Sequence, residues 1–187
     1  MVAAVKHKKW TLNQYHQMIY AGILTPDDQV ELFNGEIIEV TPQKPIHTYR
    51  CRKIDQLIAS KLGNRAEIRA QFPITLPLSH SEPEPDIVVA KGNIDTYEHK
   101  HPAPEDIYFM VEVANTTFQE VITKRMPIYA MEGIREYWVV DIKGKKLHVF
   151  TVPGDSNYEA EAILFRDDTV FPQAFPDVQF LVKDLLG

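Results

Sequence analysis

A chain of 187 residues with 44% apolar and 25% charged side chains has the size and composition of one soluble globular domain, not of a disordered or fibrous protein. No apolar run reaches the roughly 18 residues of a membrane span, and a formal charge of −6 argues against a non-specific nucleic-acid coat protein, which would be basic. The one cysteine, Cys51, forms neither an internal disulfide nor, alone, a zinc site. Since residues 1–10 carry no apolar core of a secretory leader, a reducing, cytoplasmic setting is expected.

Residues 1–10 are expected as a flexible segment ahead of a single domain that takes in the whole of 1–187. Thr11-Leu-Asn-Gln14 reads as a capping box that opens a short helix through about Tyr20. Residues 29–40 read as a β-hairpin around Asn34-Gly35, a pair that tolerates the two positive φ values of a type I′ turn. From His47 to Leu62, the residues Cys51, Ile54, Leu57, Ile58 and Leu62 share one helical face, and Gly63 supplies the stop. Short β-like runs follow at "AEIRAQF" and "ITLPL", then the acidic turn "SEPEP". "DIVVA" and "IYFMVEVA" are rich enough in β-branched and aromatic residues to be central strands.

Residues 115–132 predict a second helix, with Gly133 closing it and Pro127 kinking or shifting it. "REYWVVD" and "KKLHVFTV" predict a hairpin, followed by "YEAEAILF" and a last strand near 178–181. The sum is an α/β fold bordering on α+β, with a mixed central sheet and two principal helices.

Charge is unevenly spread. Lys44, Arg50, Arg52, Lys53, Lys61, Arg65 and Arg69 make one stretch basic, whereas Glu82, Glu84, Asp86, Asp95, Glu98, Glu105, Asp106 and Glu112 make the next acidic. A metal centre beside a phosphate-binding face would look so, and so would ordinary solvated surfaces, which charge alone favours. There is no P-loop, no G-x-S-x-G elbow and no H-E-x-x-H motif. His99 and His101 read as exposed loop residues, and Cys51 as core rather than nucleophile.

The informative residues are carboxylates on strands. Asp86 opens an apolar strand, Glu112 lies between valines in "MVEVA", and Glu31 is embedded in "VELF". A charge in such a setting is costly unless it is paired or binds a cation. By alternation Asp86 shares a face with Val88, and Glu112 with Met110 and Ala114; if the two strands are neighbours, both acids converge at one end of the sheet. Three carboxylates without a cysteine partner suggest Mg²⁺ or Mn²⁺ rather than zinc. The competing reading leaves each acid at a strand end or paired with a Lys or Arg, and spacing alone keeps both open.

"QVELFNGEIIEVTP", a helix from His47, "PEPDIVVA", "FMVEVANTT" and "IYAMEGIREYWVVD", in this order, resemble a large family of putative restriction endonucleases. That family was formerly catalogued as a domain of unknown function and belongs to the PD-(D/E)-x-K nuclease superfamily. The resemblance runs from about Thr11 to the C-terminus and implies a restriction endonuclease-like core with additional β-hairpins. By the same resemblance, Pro85-Asp86 matches the "PD" and Glu112 the second acid. Asp86, Glu112 and the Val113 carbonyl would hold a divalent ion, Mg²⁺ or Mn²⁺, with Glu31 supporting a second ion or a water. His47 and Gln71 match recurring polar positions and would be auxiliary.

The superfamily's usual lysine, two residues past the second acid, is replaced by Ala114. The family moves it to the following helix, where the count falls on Arg125, four residues before Tyr129, with Lys124 just before it. Arginine keeps a cation near phosphate but holds its proton too firmly to act as a base. Lys124 lies about 100° around the helix and would need a register shift near Pro127 to enter the site. Val121 stands where an aspartate is expected one turn earlier, Glu120 being the nearest acid.

With the site intact, the chemistry implied is Mg²⁺-dependent phosphodiester hydrolysis, Lys124 or Arg125 assisting the acids. Nucleic acid, DNA by preference, would track along Arg50, Arg52 and Lys53. The alternatives are a catalytically weakened relative that binds nucleic acid or a partner protein without cleavage, and an enzyme on another substrate or a structural descendant of the fold. Homodimers are implied by the need to cut two antiparallel strands. Tyr137 and Trp138 would serve that interface if exposed, although a strand carrying both is more often core.

Overall fold

The computed structural model describes residues 7–187; residues 1–6, part of the segment expected to be flexible, lie outside the described residues. Helix α1 (Leu12–Tyr20) begins at the Thr11–Gln14 capping box. The hairpin of β1 (Val30–Phe33) and β2 (Glu36–Glu39) turns through Asn34 and Gly35, both at positive φ as a type I′ turn demands. Lys9 ties the chain just ahead of α1 to that turn, donating to the Asn34 carbonyl and to Glu36. Helix α2 (Pro45–Leu62) buries Cys51, Ile54, Ile58 and Leu62, the apolar face expected, and stops at Gly63.

The central sheet has six strands in the order β3 (Glu67–Arg69), β4 (Ile87–Ala90), β5 (Ile107–Ala114), β6 (Glu136–Asp141), β7 (Lys146–Pro153) and β8 (Tyr158–Phe165). Only β5 and β6 run parallel, so the sheet is mixed. The connection between these two is helical, as a parallel crossover requires: α3 (Phe118–Glu120), a π-helical turn Val121–Arg125, and α4 (Met126–Met131) follow without interruption. A small ribbon of β9 (Thr169–Val170) and β10 (Phe180–Leu181) leads into α5 (Val182–Leu186).

Two apolar layers fill the faces of the sheet. Ile87, Val89, Val111, Val113 and Trp138 pack with α2 and α5 on one side, and Val88, Met110, Ala114, Tyr137 and Val139 pack with α4 on the other. Alternation along β4 and β5 therefore sorts their residues as the sequence pattern requires. Tyr137 and Trp138 are fully buried in these layers, which removes them as a surface for a second copy. No helix among the described residues is long and apolar enough to cross a membrane.

Two expectations need correction, and one element was not foreseen. "ITLPL" forms no strand: Leu76 makes a single bridge to Ser81, because Pro73 and Pro77 withhold ladder donors on either side. The helix expected from residue 115 starts at Phe118 and is not continuously α. Pro127 has no N–H for the carbonyl four residues back and its ring crowds that carbonyl; widening to i→i+5 bonding just before it, with Met126 N–H donating to Val121, relieves both. The closing α5 was hidden because five residues are too few to show a helical period.

Candidate functional site

β4 and β5 are antiparallel with Ile87 opposite Val111 and Val88 opposite Met110. Carried one residue further, that register puts Asp86 opposite Glu112, on the Met110 face. Like charges directly across a ladder repel, and here both are buried. Burial first, and then the Asp86 carboxylate beside it, hold the Glu112 carboxyl well above the usual range.

Each acid is held by its surroundings. Asp86 Oδ2 accepts from the Val113 N–H at 2.8 Å, and Oδ1 faces His47 Nε2 at 2.8 Å. The N–H and C=O of a strand residue leave by the same edge, so the Val113 carbonyl leaves on the β4 side with its N–H, while the Ala114 carbonyl turns to the β6 side and accepts from Ile142. Glu112 Oε1 accepts from the Tyr129 hydroxyl at 3.3 Å. Two facing carboxylates and a strand-edge carbonyl are an all-oxygen donor set, which fits a hard divalent cation.

The hairpin delivers Glu31. A bridge from Leu32 to Glu82 pins β1 to the acidic loop, and the Glu84 N–H donates to Glu31 Oε2 at 3.3 Å. Glu31 Oε1 accepts from Arg125 Nη2 at 2.7 Å, and Arg125 Nη1 lies 3.4 Å from the Tyr129 hydroxyl. Burial works against the Arg125 charge, but Tyr129, Glu112 and Glu31 outweigh it and raise its affinity for the proton. Its guanidinium also covers the Phe33 ring at 5.3 Å. Arg125, Tyr129 and Glu112 thus form a chain of contacts leading inward from a cleft of about 480 Å³ lined by Glu31, Phe33, Ile38, Lys124 and Arg125.

Lys124 is not part of that chain. The π-helical turn supplies a register shift, yet it leaves Lys124 exposed at the rim of the cleft and paired with Glu120 at 2.9 Å, with Arg125 turned inward. His47 is brought to the acids, and its hydrogen bond to Asp86 raises the imidazole against the opposing effect of burial. Gln71 contributes through its backbone: at φ 58° its N–H donates to the Pro85 and Asp86 carbonyls, while its side chain donates to Gln43.

Of Arg50, Arg52 and Lys53, the first and last share a side of α2 and Arg52 does not. Arg52 pairs with Asp55, Lys53 lies by Tyr49, and Arg50 is half-buried against α5 with Nη1 unpartnered among the described residues. Arg50 and Lys53 are three residues apart and line one groove beside α5, whereas Arg52 lies about 160° around the helix from Arg50.

Sequence reasoning missed Cys51 as a polar participant. It is buried as expected, but its Sγ lies 3.3 Å from His47 Nε2, and burial followed by the Asp86 charge pushes the thiol up. The signal was present as His47-x-x-x-Cys51, one helical turn apart on one face; the apolar company of Cys51 obscured it. Tyr129 was used only as a counting mark, and its hydroxyl contact was invisible without the fold.

The family model described as "Putative restriction endonuclease" (Uma2) matches residues 12–183. Among solved structures, the chain is similar to one titled a putative nuclease belonging to DUF820 from Anabaena variabilis, with a TM-score of 0.71 and 18% identity over 94% of this chain and 97% of that one. At that identity the likeness shows the fold. A search of curated proteins finds no match.

Proposed function

This chain belongs to the family described as putative restriction endonuclease, and on that premise we propose that it is a metal-dependent nuclease hydrolysing phosphodiester bonds, with DNA as the expected substrate. One observation carries the reading: Asp86 and Glu112, buried and opposed across the β4–β5 register, with the Val113 carbonyl on the same strand edge. A pair of this kind is relieved by a shared proton or by a cation, and the oxygen donors suit Mg²⁺ or Mn²⁺. Such an ion, when bound, lowers the pKa of a water and polarises a phosphoryl oxygen.

The chain's own residues supply the rest. Arg125, reached from the cleft, places a permanent positive charge where a phosphate would build negative charge; it stabilises that charge and does not accept a proton. Glu31 and Tyr129 are positioning residues that fix the guanidinium and orient Glu112. His47 holds Asp86 Oδ1 while Oδ2 is fixed by Val113, so the carboxylate is set before substrate arrives.

A second reading, binding without cleavage, draws on the buried Ala114 at the usual lysine position and on the engagement of Arg125 by Glu31. Incubation of labelled single-stranded and duplex DNA with Mg²⁺ or Mn²⁺ separates the two. Cleavage that disappears in Asp86→Asn and in Glu112→Gln supports the nuclease. Salt-dependent binding with no cleavage under any metal rejects it in favour of the second reading.

A further inference from the structure

We propose that His47, Cys51 and Asp86 form a binding site for a borderline-soft divalent cation of the zinc class, Zn²⁺ or Co²⁺, distinct from the all-oxygen set of Asp86, Glu112 and Val113. The inference shares Asp86 with the site above but does not rest on cleavage. Among the described residues, these three bring one ligand atom each to within 4.8 Å of one another. His47 Nε2 stands 2.8 Å from Asp86 Oδ1 and 3.3 Å from Cys51 Sγ.

The arrangement is built from sequence upward. A helical i, i+4 pair at the start of α2 places imidazole and thiol on one face, and that face meets the residue preceding β4. One imidazole nitrogen carries a single proton or a single lone pair, so Nε2 satisfies only one of its two neighbours well. A cation replaces that competition with three bonds.

The geometry asks little movement. Zinc bonds of about 2.0–2.3 Å in a tetrahedron separate their donors by roughly 3.3–3.7 Å. His47 Nε2 and Asp86 Oδ1, now at 2.8 Å, part by roughly 0.5–0.9 Å, His47 and Cys51, now at 3.3 Å, by at most about 0.4 Å, and Asp86 and Cys51 close from within 4.8 Å. Three protein ligands leave the fourth tetrahedral position to water. Imidazole and thiolate select an ion of this class, whereas Mg²⁺ would reject the sulfur. As the Sγ–metal bond forms, the thiol proton is released to solvent. Asp86 presents Oδ1 to this ion and keeps Oδ2 on the side of Val113, so the hard-ion donors stay available.

The test is a Co²⁺ titration of the full chain, kept reduced, followed by near-ultraviolet and visible absorption. Because Cys51 is the only cysteine, a thiolate-to-cobalt charge-transfer band reports on this position alone. The expected result is a band saturating at one equivalent, bleached by Zn²⁺ and lost in Cys51→Ser. In His47→Gln, Co²⁺ affinity should fall by at least the roughly 10–100-fold that loss of a supporting partner costs. Cobalt binding without the band, or with affinity unchanged in Cys51→Ser, would place the ion on carboxylates alone and overturn the proposal; no binding overturns it too. Should Cys51→Ser fail to fold, as metal-free unfolding would reveal, His47→Gln decides: an undiminished band refutes the site. Cleavage with Mg²⁺ or Mn²⁺, assayed in parallel, fails or survives independently.

Discussion

The Glu31–Arg125 pair offers the sharpest mechanical test of the site. The Glu31 side chain is only 4% exposed and that of Arg125 25%, so Arg125→Met leaves a carboxylate buried with a single backbone donor from Glu84. Breaking a buried pair from one side costs about 3–5 kcal/mol; the partial opening of Arg125 to water puts this pair near 3 kcal/mol. For a chain of this length that corresponds to a fall in Tm of about 6–12 °C. Adding Glu31→Gln removes the orphaned charge while keeping an acceptor for the Glu84 N–H. The double variant should therefore recover part of the loss, with a coupling of about 1–3 kcal/mol. Chemical unfolding of the wild type, both single variants and the double variant closes the cycle. A cost below about 1 kcal/mol for Arg125→Met, or strictly additive effects, would refute the view that the hairpin and the π-helical turn are joined through this pair.

Other outcomes follow from the same geometry. The Glu112 carboxyl is raised in the folded chain, so the metal-free protein binds a proton that the unfolded chain gives up. Its stability should be full below the ordinary carboxylate range and decline as pH rises through the elevated Glu112 value; Glu112→Gln should flatten that decline in unfolding midpoints, and an unchanged slope contradicts the reading. His47 is also raised, and an NMR titration should place its imidazole above about 6.5 and lower it again in Asp86→Asn; no difference between the two proteins would discard the Asp86 contact. Lys124 is exposed and, among the described residues, paired only with Glu120, so Lys124→Ala should cost no more than about 0.5 kcal/mol and leave cleavage nearly intact, against severe loss in Arg125→Met. Comparable loss in both variants would mean that the helix presents Lys124 to the substrate.

How far the sequence reaches is clearest at particular residues. Asp86 and Glu112 were legible because β alternation is strict and consecutive strands usually pair; those two rules suffice to face the acids. The Asn34-Gly35 turn and the Thr11 cap were legible because their chemistry is local. Arg125 against Lys124 was open, since one residue of helical register decides between them and Pro127 disturbs that register through a π-turn no periodicity reveals. The polar neighbours of Cys51 were missed for a related reason: burial was correctly expected, but burial does not say which atoms lie alongside. Arg50 and Lys53 share a side of α2 while Arg52 turns away to Asp55, so a count of charges along the sequence did not say which of them share a surface.

The central claim is that Asp86 and Glu112 jointly hold a divalent cation. Calorimetric titration of Mn²⁺ and Mg²⁺ into the wild type and Asp86→Asn tests it most directly, because asparagine keeps an acceptor for the Val113 N–H and the fold can persist. The account predicts binding in the wild type and its disappearance in the variant. Binding of undiminished strength in Asp86→Asn, or none in the wild type, would contradict it.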